Sequence, residues 1–168
     1  MRKLIGIAGG VLAVSASAAA AEPAKLSEVF FDFDSSSLTT QAKSELDNAA
    51  TQAMTAPGAT VVINGFTDPL GSSVYNVALS IRRAENARDY LVAKGVDEDS
   101  IVMAYFGEDA ARRASFAEDR RVSIELTRDP LYTVIDRSLP IATAVTWHQP
   151  KAVAEIEGPR VEQVATRR

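Results

Sequence analysis

Between residues 27 and 128 the chain alternates short apolar runs of two-residue rhythm with longer stretches of helical rhythm. Val29-Phe30-Phe31-Asp32-Phe33 is aromatic and β-branched and predicts a short strand. Ser35-Ser36-Ser37 offers N-cap chemistry, and Leu38 to Met54 carries apolar or alanine residues at 38, 42, 46, 49, 50 and 53, which is helical spacing. Pro57-Gly58 is a stop and turn, and Thr60 to Phe66 predicts a second strand. Ser72 or Ser73 can cap a second helix that ends near Lys94-Gly95, with Gly95 just past the last turn. Ile101 to Phe106 predicts a third strand. In Arg121 to Thr127, Val122, Ile124 and Leu126 alternate with Ser123, Glu125 and Thr127, the mark of a half-buried strand antiparallel to its neighbours. The expected fold class is α+β: a two-layer βαβα-β-β arrangement, a mixed sheet with helices on one face. After Arg128 the texture changes. Prolines recur at 130, 140, 150 and 159 around two short β-like runs, Leu131 to Ile135 and Ile141 to Trp147. Residues 129–168 are expected to extend beyond the core fold, partly disordered.

The first residues have a separate logic. Met1-Arg2-Lys3 is positive, Leu4 to Val14 is apolar, and Ser15 to Ala21 holds only small residues, with Ala19-Ala20-Ala21 fitting a cleavage site before Glu22. The expectation is a signal peptide over 1–21 and a single domain over 22–128. The leader holds two of the 18 basic residues and none of the 22 acidic ones, so the remainder is more acidic than the net −4 of the full chain. Acidity argues against nucleic acid as a partner. The chain contains no cysteine, which excludes disulfides, thiolate metal sites, thiol catalysis and a lipid-modified cysteine. After the leader there is no apolar run of membrane-spanning length and no series of alternating ten-residue strands.

The candidate chemistry lies in residues 65–91. In Asp68-Pro69-Leu70-Gly71 the residue types suit a type I turn, and the proline biases Asp68 toward extended geometry. That holds a carboxylate at the C-terminal end of a strand, the edge where ligands bind in α/β sheets. On the following helix, at about 100° per residue, Asn76, Leu79, Arg83, Ala87, Tyr90 and Lys94 fall near one line. Arg83 therefore interrupts an apolar face, whereas Arg82 points toward Glu85, Asp89 and solvent. Asn76 shares the side of Arg83 and sits near the helix N-terminus, which favours anions. Two readings follow from the residues alone: a structural ion pair between Asp68 and Arg83, or a pair held apart as a clamp for a zwitterion.

The run TDPLGSSVYNVALSIRRAENARDYL resembles the heart of the OmpA C-terminal (peptidoglycan-associated) domain family, whose pattern TD-x-x-G-x-x-x-Y-N-x-x-L-S-x-x-R-A it matches at every fixed position. The resemblance extends to FDFDSSSL (31–38), YFGED (105–109) and EDRRVSIEL (118–126). It implies a βαβαβ-type mixed sheet and non-covalent binding of the peptidoglycan stem peptide through meso-diaminopimelate, without catalysis, cofactor or metal. It implies that Asp68 holds the ammonium and Arg83 the carboxylate, that Asn76 and Arg120 add polar contacts, and that Asp34 and Thr67 line the pocket. It also implies a periplasmic, wall-associated location near an outer membrane. Phe66 stands where the family often has His and retains an aromatic wall. Asp34 and Asp119 stand where Asn is common and add negative charge. The segment 110–118 is shorter than the usual loop.

The remaining polar residues are less informative. Arg112, Arg113, Arg120 and Arg121 form a basic cluster that either steers anionic peptides or is solvated loop charge. His148 is the sole histidine and has neither a nucleophile nor an orienting partner in view, which argues against a hydrolase. Trp147 is either a docking anchor or a residue tucked against the domain. An alternative function follows from the tail: residues 129–168 recruit an envelope protein, and the domain is a weakened wall anchor.

Overall fold

A computed structural model describes residues 23–111 and 114–148, together with the backbone of 163–166. The expected leader, Arg112, Arg113 and most of the last twenty residues lie outside these. The elements run β1 (Ala24–Phe30), α1 (Thr40–Met54), β2 (Thr60–Phe66), α2 (Ser73–Ala93), β3 (Ile101–Gly107), α3 (Phe116–Asp119), β4 (Arg121–Thr127), α4 (Leu131–Ser138), β5 (Ala144–Trp147) and β6 (Gln163–Thr166). They build one six-stranded sheet in the order β1-β4-β2-β3-β5-β6. β2 and β3 are parallel, joined by α2, and the other neighbours are antiparallel. A parallel pair needs such a crossover, and the apolar stripe of α2 supplies one that buries itself on the sheet.

The α+β fold class is as expected. Alternate residues of the strands divide two cores. Val29, Val61, Ile63, Ile101, Met103, Val122 and Ile124 pack against Leu46, Ala49 and Ala50 of α1 and Ala84, Ala87 and Leu91 of α2. Val62, Val102, Ala104 and Val145 turn the other way and meet Val134, Ile135 and Ala142. The long helices thus share one face, and short α4 covers part of the opposite one.

Ser72 caps α2, accepting from the Tyr75 amide, as its sequence position predicts. At the other end Gly95 takes a φ of +103°, and the amides of Gly95 and Val96 close back onto Val92 and Leu91. Three expectations need correction. The first strand spans 24–30 rather than 29–33, because its ladder partner β4 ends at Arg121, opposite Phe30. Register with a neighbour outweighs the β-propensity of Phe31 and Phe33. Helix α1 is capped by Thr39, whose hydroxyl accepts from the Ala42 amide at 3.1 Å, and not by Ser35–Ser37. The serine carbonyls are spent elsewhere, as shown below. Finally, Leu131 to Ile135 is helical, not β-like: Pro130 precedes it, and Leu131, Val134, Ile135 and Ser138 recur at helical spacing toward the sheet. A five-residue apolar run does not reveal its own period. In the last run only Ala144–Trp147 is a strand. It pairs with β3, and α4 packs on the sheet beside it, so the described part of the extension is packed on the domain. Trp147 is half-buried against the second core, and His148 lies 3.1 Å from the Glu98 carboxylate.

Helix α2 approaches the sheet backbone closely at Gly65. A Cβ there would fall 2.4 Å from the Ser80 carbonyl oxygen and 3.3 Å from Ala84 Cβ. The obstacle is helix backbone, which does not yield as a side-chain tip would. Gly65→Ala is expected to destabilise the domain by about 1–3 kcal/mol through overpacking, read as a lower urea midpoint with an unchanged m-value.

Candidate functional site

The C-terminal end of β2, the loop between β1 and α1, the first turns of α2 and the residue preceding β4 meet at one pole of the sheet. The cleft there is lined by Phe33, Asp34, Asp68, Leu70, Tyr75, Leu79, Arg83 and Arg120. Arg83 forms its floor and is fully buried. Its Nε donates to the Ser35 carbonyl (2.8 Å), Nη1 to the Phe66 carbonyl (3.0 Å) and Nη2 to the Asp32 carbonyl (3.3 Å). One guanidinium thus fastens a helix, a strand end and a loop, and its carbon sits 5.1 Å from the Phe31 ring centroid. Burial pulls the Arg83 pKa down to about 10, with Asp68 opposing the shift and Arg120 adding to it. The group remains a cation at neutral pH. Arg82 is exposed and lies 5.7 Å from the Tyr75 ring centroid, so the helical phase separated the two arginines correctly.

Asp68 is buried at 4% exposure. Its Oδ1 accepts from the Leu70 amide (3.3 Å), a side-chain closure of the turn, and its Oδ2 accepts from Arg120 Nη1 (3.0 Å). The direct ion pair is therefore with Arg120, and Arg83 acts on Asp68 through its field. Arg120 Nε also donates to the Phe31 carbonyl at 3.1 Å. Asp34 is exposed, holds a left-handed φ of +53°, and accepts the Tyr75 hydroxyl proton across the mouth. That bond raises the Tyr75 pKa.

Four expected residues, Asp34, Asp68, Arg83 and Arg120, thus come together. Thr67 and Asn76 lie beneath the cleft surface, buried to 1% exposure. The Thr67 hydroxyl has no hydrogen-bond partner among the described residues, while the Asn76 amide lies against the Glu108 carboxylate. Asn76 packs under Gly71, where an added Cβ would sit 3.3 Å from Asn76 Oδ1 and where φ is +116°. Its position supports the 68–71 turn. Phe66 is not a wall of this cleft. It stacks on Phe106 on the other sheet face, centroids 4.9 Å apart, with Arg121 over its ring at 3.9 Å. Phe66 shares the parity of Val62 and Asn64 and faces that side, whereas Asp68 lies beyond the end of the strand, in the turn. Sequence reasoning missed Phe33, Leu70, Tyr75 and Leu79 as lining residues. The signal for Tyr75 was available: it precedes Asn76 in the first turn of α2, one turn before Leu79.

A larger trough occupies the opposite sheet face, lined in part by Lys25, Glu28, Asn64, Arg121, Glu125 and Arg137. Its charges satisfy one another or near neighbours: Lys25 with Glu28, Arg121 with Glu28 and Asp119, Arg137 with Asp129, and Glu125 with Asn64. Burial pushes the Glu125 pKa up. Among the described residues no group of three or more His, Asp or Glu is arranged to hold a metal ion, and no helix is long and apolar enough to cross a membrane.

The fold is thus a mixed sheet with a charged cleft at its strand ends. The OmpA family model matches residues 30–123, more than half of the chain. The chain belongs to the OmpA family. It is 38% identical over 104 residues to outer membrane protein A of Bordetella avium, covering 59% of this chain and 54% of that protein. It is 37% identical over 118 residues to outer membrane protein A of Serratia marcescens, covering 60% and 33%. The chain thus spans between a third and about half the length of these curated relatives. Among solved structures it resembles the peptidoglycan-associated lipoprotein of Burkholderia pseudomallei, with TM-score 0.54 and 32% identity over 60% of this chain and 90% of that one. The C-terminal domain of Helicobacter pylori MotB shares the fold at TM-score 0.55 and 16% identity, covering 66% and 95%.

The three carbonyl bonds make Arg83 a structural fastener. Arg83→Lys replaces a planar fork by a point donor that cannot serve three diverging carbonyls. It is expected to cost roughly 2–4 kcal/mol of stability through unpaired buried acceptors, whereas Arg82→Ala should stay within about 0.5 kcal/mol. Chemical denaturation of the two variants side by side measures the contrast.

Proposed function

We propose that this chain binds peptidoglycan without catalysis, holding the diaminopimelate of the stem peptide in the cleft and so tethering or sensing the wall in the periplasm. The observation that carries the reading is Asp68: a buried carboxylate at a strand end, fixed by Leu70 and opposed by a side chain that can leave. A ligand ammonium takes the position of the Arg120 Nη1 contact on Asp68. The ligand carboxylate then meets the displaced Arg120 and the field of Arg83 below. The zwitterion thereby replaces an internal ion pair by two charge-assisted contacts of the same kind. Membership of the OmpA family and the 32% identity to a lipoprotein named for its association with peptidoglycan support the choice of ligand. Thr67 and Asn76 are assigned to support of the turn, and Asp34 to the rim. Helix α4 packs on the sheet and β5 pairs within it, and neither lends support to the reading in which the tail recruits a partner.

Co-sedimentation with purified sacculi tests the proposal. The wild-type protein is expected in the pellet, Asp68→Asn in the supernatant with at least about a tenfold loss, as fits removal of a charge-assisted contact, and Arg82→Ala in the pellet. Wild type remaining in the supernatant, or Asp68→Asn pelleting like wild type, overturns it.

A further inference from the structure

The charge balance of the cleft is unusual for a receptor of free amino-acid ends. Two carboxylates, Asp34 and Asp68, face two guanidiniums, and both guanidiniums are already engaged: Arg83 on three backbone carbonyls, Arg120 on Asp68 and the Phe31 carbonyl. An incoming ammonium finds two carboxylates. An incoming carboxylate finds cations whose field Asp34 partly cancels, since Asp34 acts electrostatically on Arg83. Asp34 is also held toward the mouth, its backbone in the left-handed region and its carboxylate bonded by Tyr75 from the first turn of α2. The cleft is thus biased toward the positive half of a zwitterion.

We propose that Asp34 is a specificity-determining residue that weakens the cleft's preference for a stem-peptide residue whose carboxyl beside the ammonium is free over one whose carboxyl is amidated. The proposal rests on the peptidoglycan reading above. An amide keeps the hydrogen-bonding shape of the carboxyl group and removes the charge that Asp34 repels. The ammonium contact to Asp68 is common to both ligands, so Asp34 acts on the ratio of their affinities rather than on binding as such.

The test is calorimetric titration of the full chain with two soluble tripeptides, L-Ala-γ-D-Glu-meso-diaminopimelate and its diaminopimelate carboxamide. Wild type is expected to discriminate only weakly between the two. Asp34→Asn is expected to shift the ratio toward the free acid by roughly three- to tenfold, the size of one charge contact at a solvated rim. Asparagine accepts a left-handed φ as readily as aspartate, so the variant is expected to fold, and a thermal melt checks this. An unchanged ratio in Asp34→Asn, or a shift of the ratio toward the carboxamide, overturns the proposal while leaving the peptidoglycan reading in place. Failure of a folded wild-type chain to bind either tripeptide overturns both.

Discussion

Everything at the functional pole depends on burying one guanidinium. Arg83 lies on the core side of α2, where a cation costs several kcal/mol to desolvate. Its three carbonyl partners, Asp32, Ser35 and Phe66, recover that cost and fix three chain segments relative to one another. Asn86, one turn further on, adds a third tie to the loop after β1 through the Ser36 carbonyl at 2.7 Å. The loop after β1 is therefore shaped by α2, not by its own sequence. Its course in turn places Phe33 and Asp34 at the mouth.

The two arginines of the cleft divide the work. Arg83 is immobile and supplies a constant positive potential. Arg120 is half-buried at the end of a four-residue helix, bonded to one carboxylate and one carbonyl, and is the element free to change partners. The helical phase marked the stationary charge as the displaced one, and the family resemblance gave it the ligand-contacting role. Its displacement has a structural purpose as well: a residue can break an apolar pattern in order to satisfy backbone rather than to meet a ligand.

What was legible in the chain was what local physics determines. The phase of α2 separated Arg83 from Arg82, Ser72 and Gly95 marked the helix ends, and the alternation in Arg121–Thr127 announced an antiparallel strand. What was hidden depended on partners distant in sequence. Ser35–Ser37 looked like a cap, but their carbonyls are drawn toward Arg83 and Asn86, and the cap moved to Thr39. Leu131–Ile135 looked β-like, but the bare face of Val62, Val102 and Ala104 offered a surface that suits a helix. Phe66 kept its aromatic character and lost its place in the cleft, because strand parity, invisible in a motif, decides which face a side chain meets.

The contact at Gly65 acquires a further meaning beside Arg83. Helix α2 rests on β2 backbone at Ser80 and is pinned one turn later by the guanidinium, so it can neither roll nor slide on the sheet. Adjustment to a guest falls to the side chains of Arg120, Asp34 and Tyr75 alone. Such a receptor loses little conformational freedom on capture. On the peptidoglycan reading proposed above, its dwell time is governed by a few bonds at the rim, and a polymer presenting many copies of the same short peptide is held by rapid exchange from one to the next.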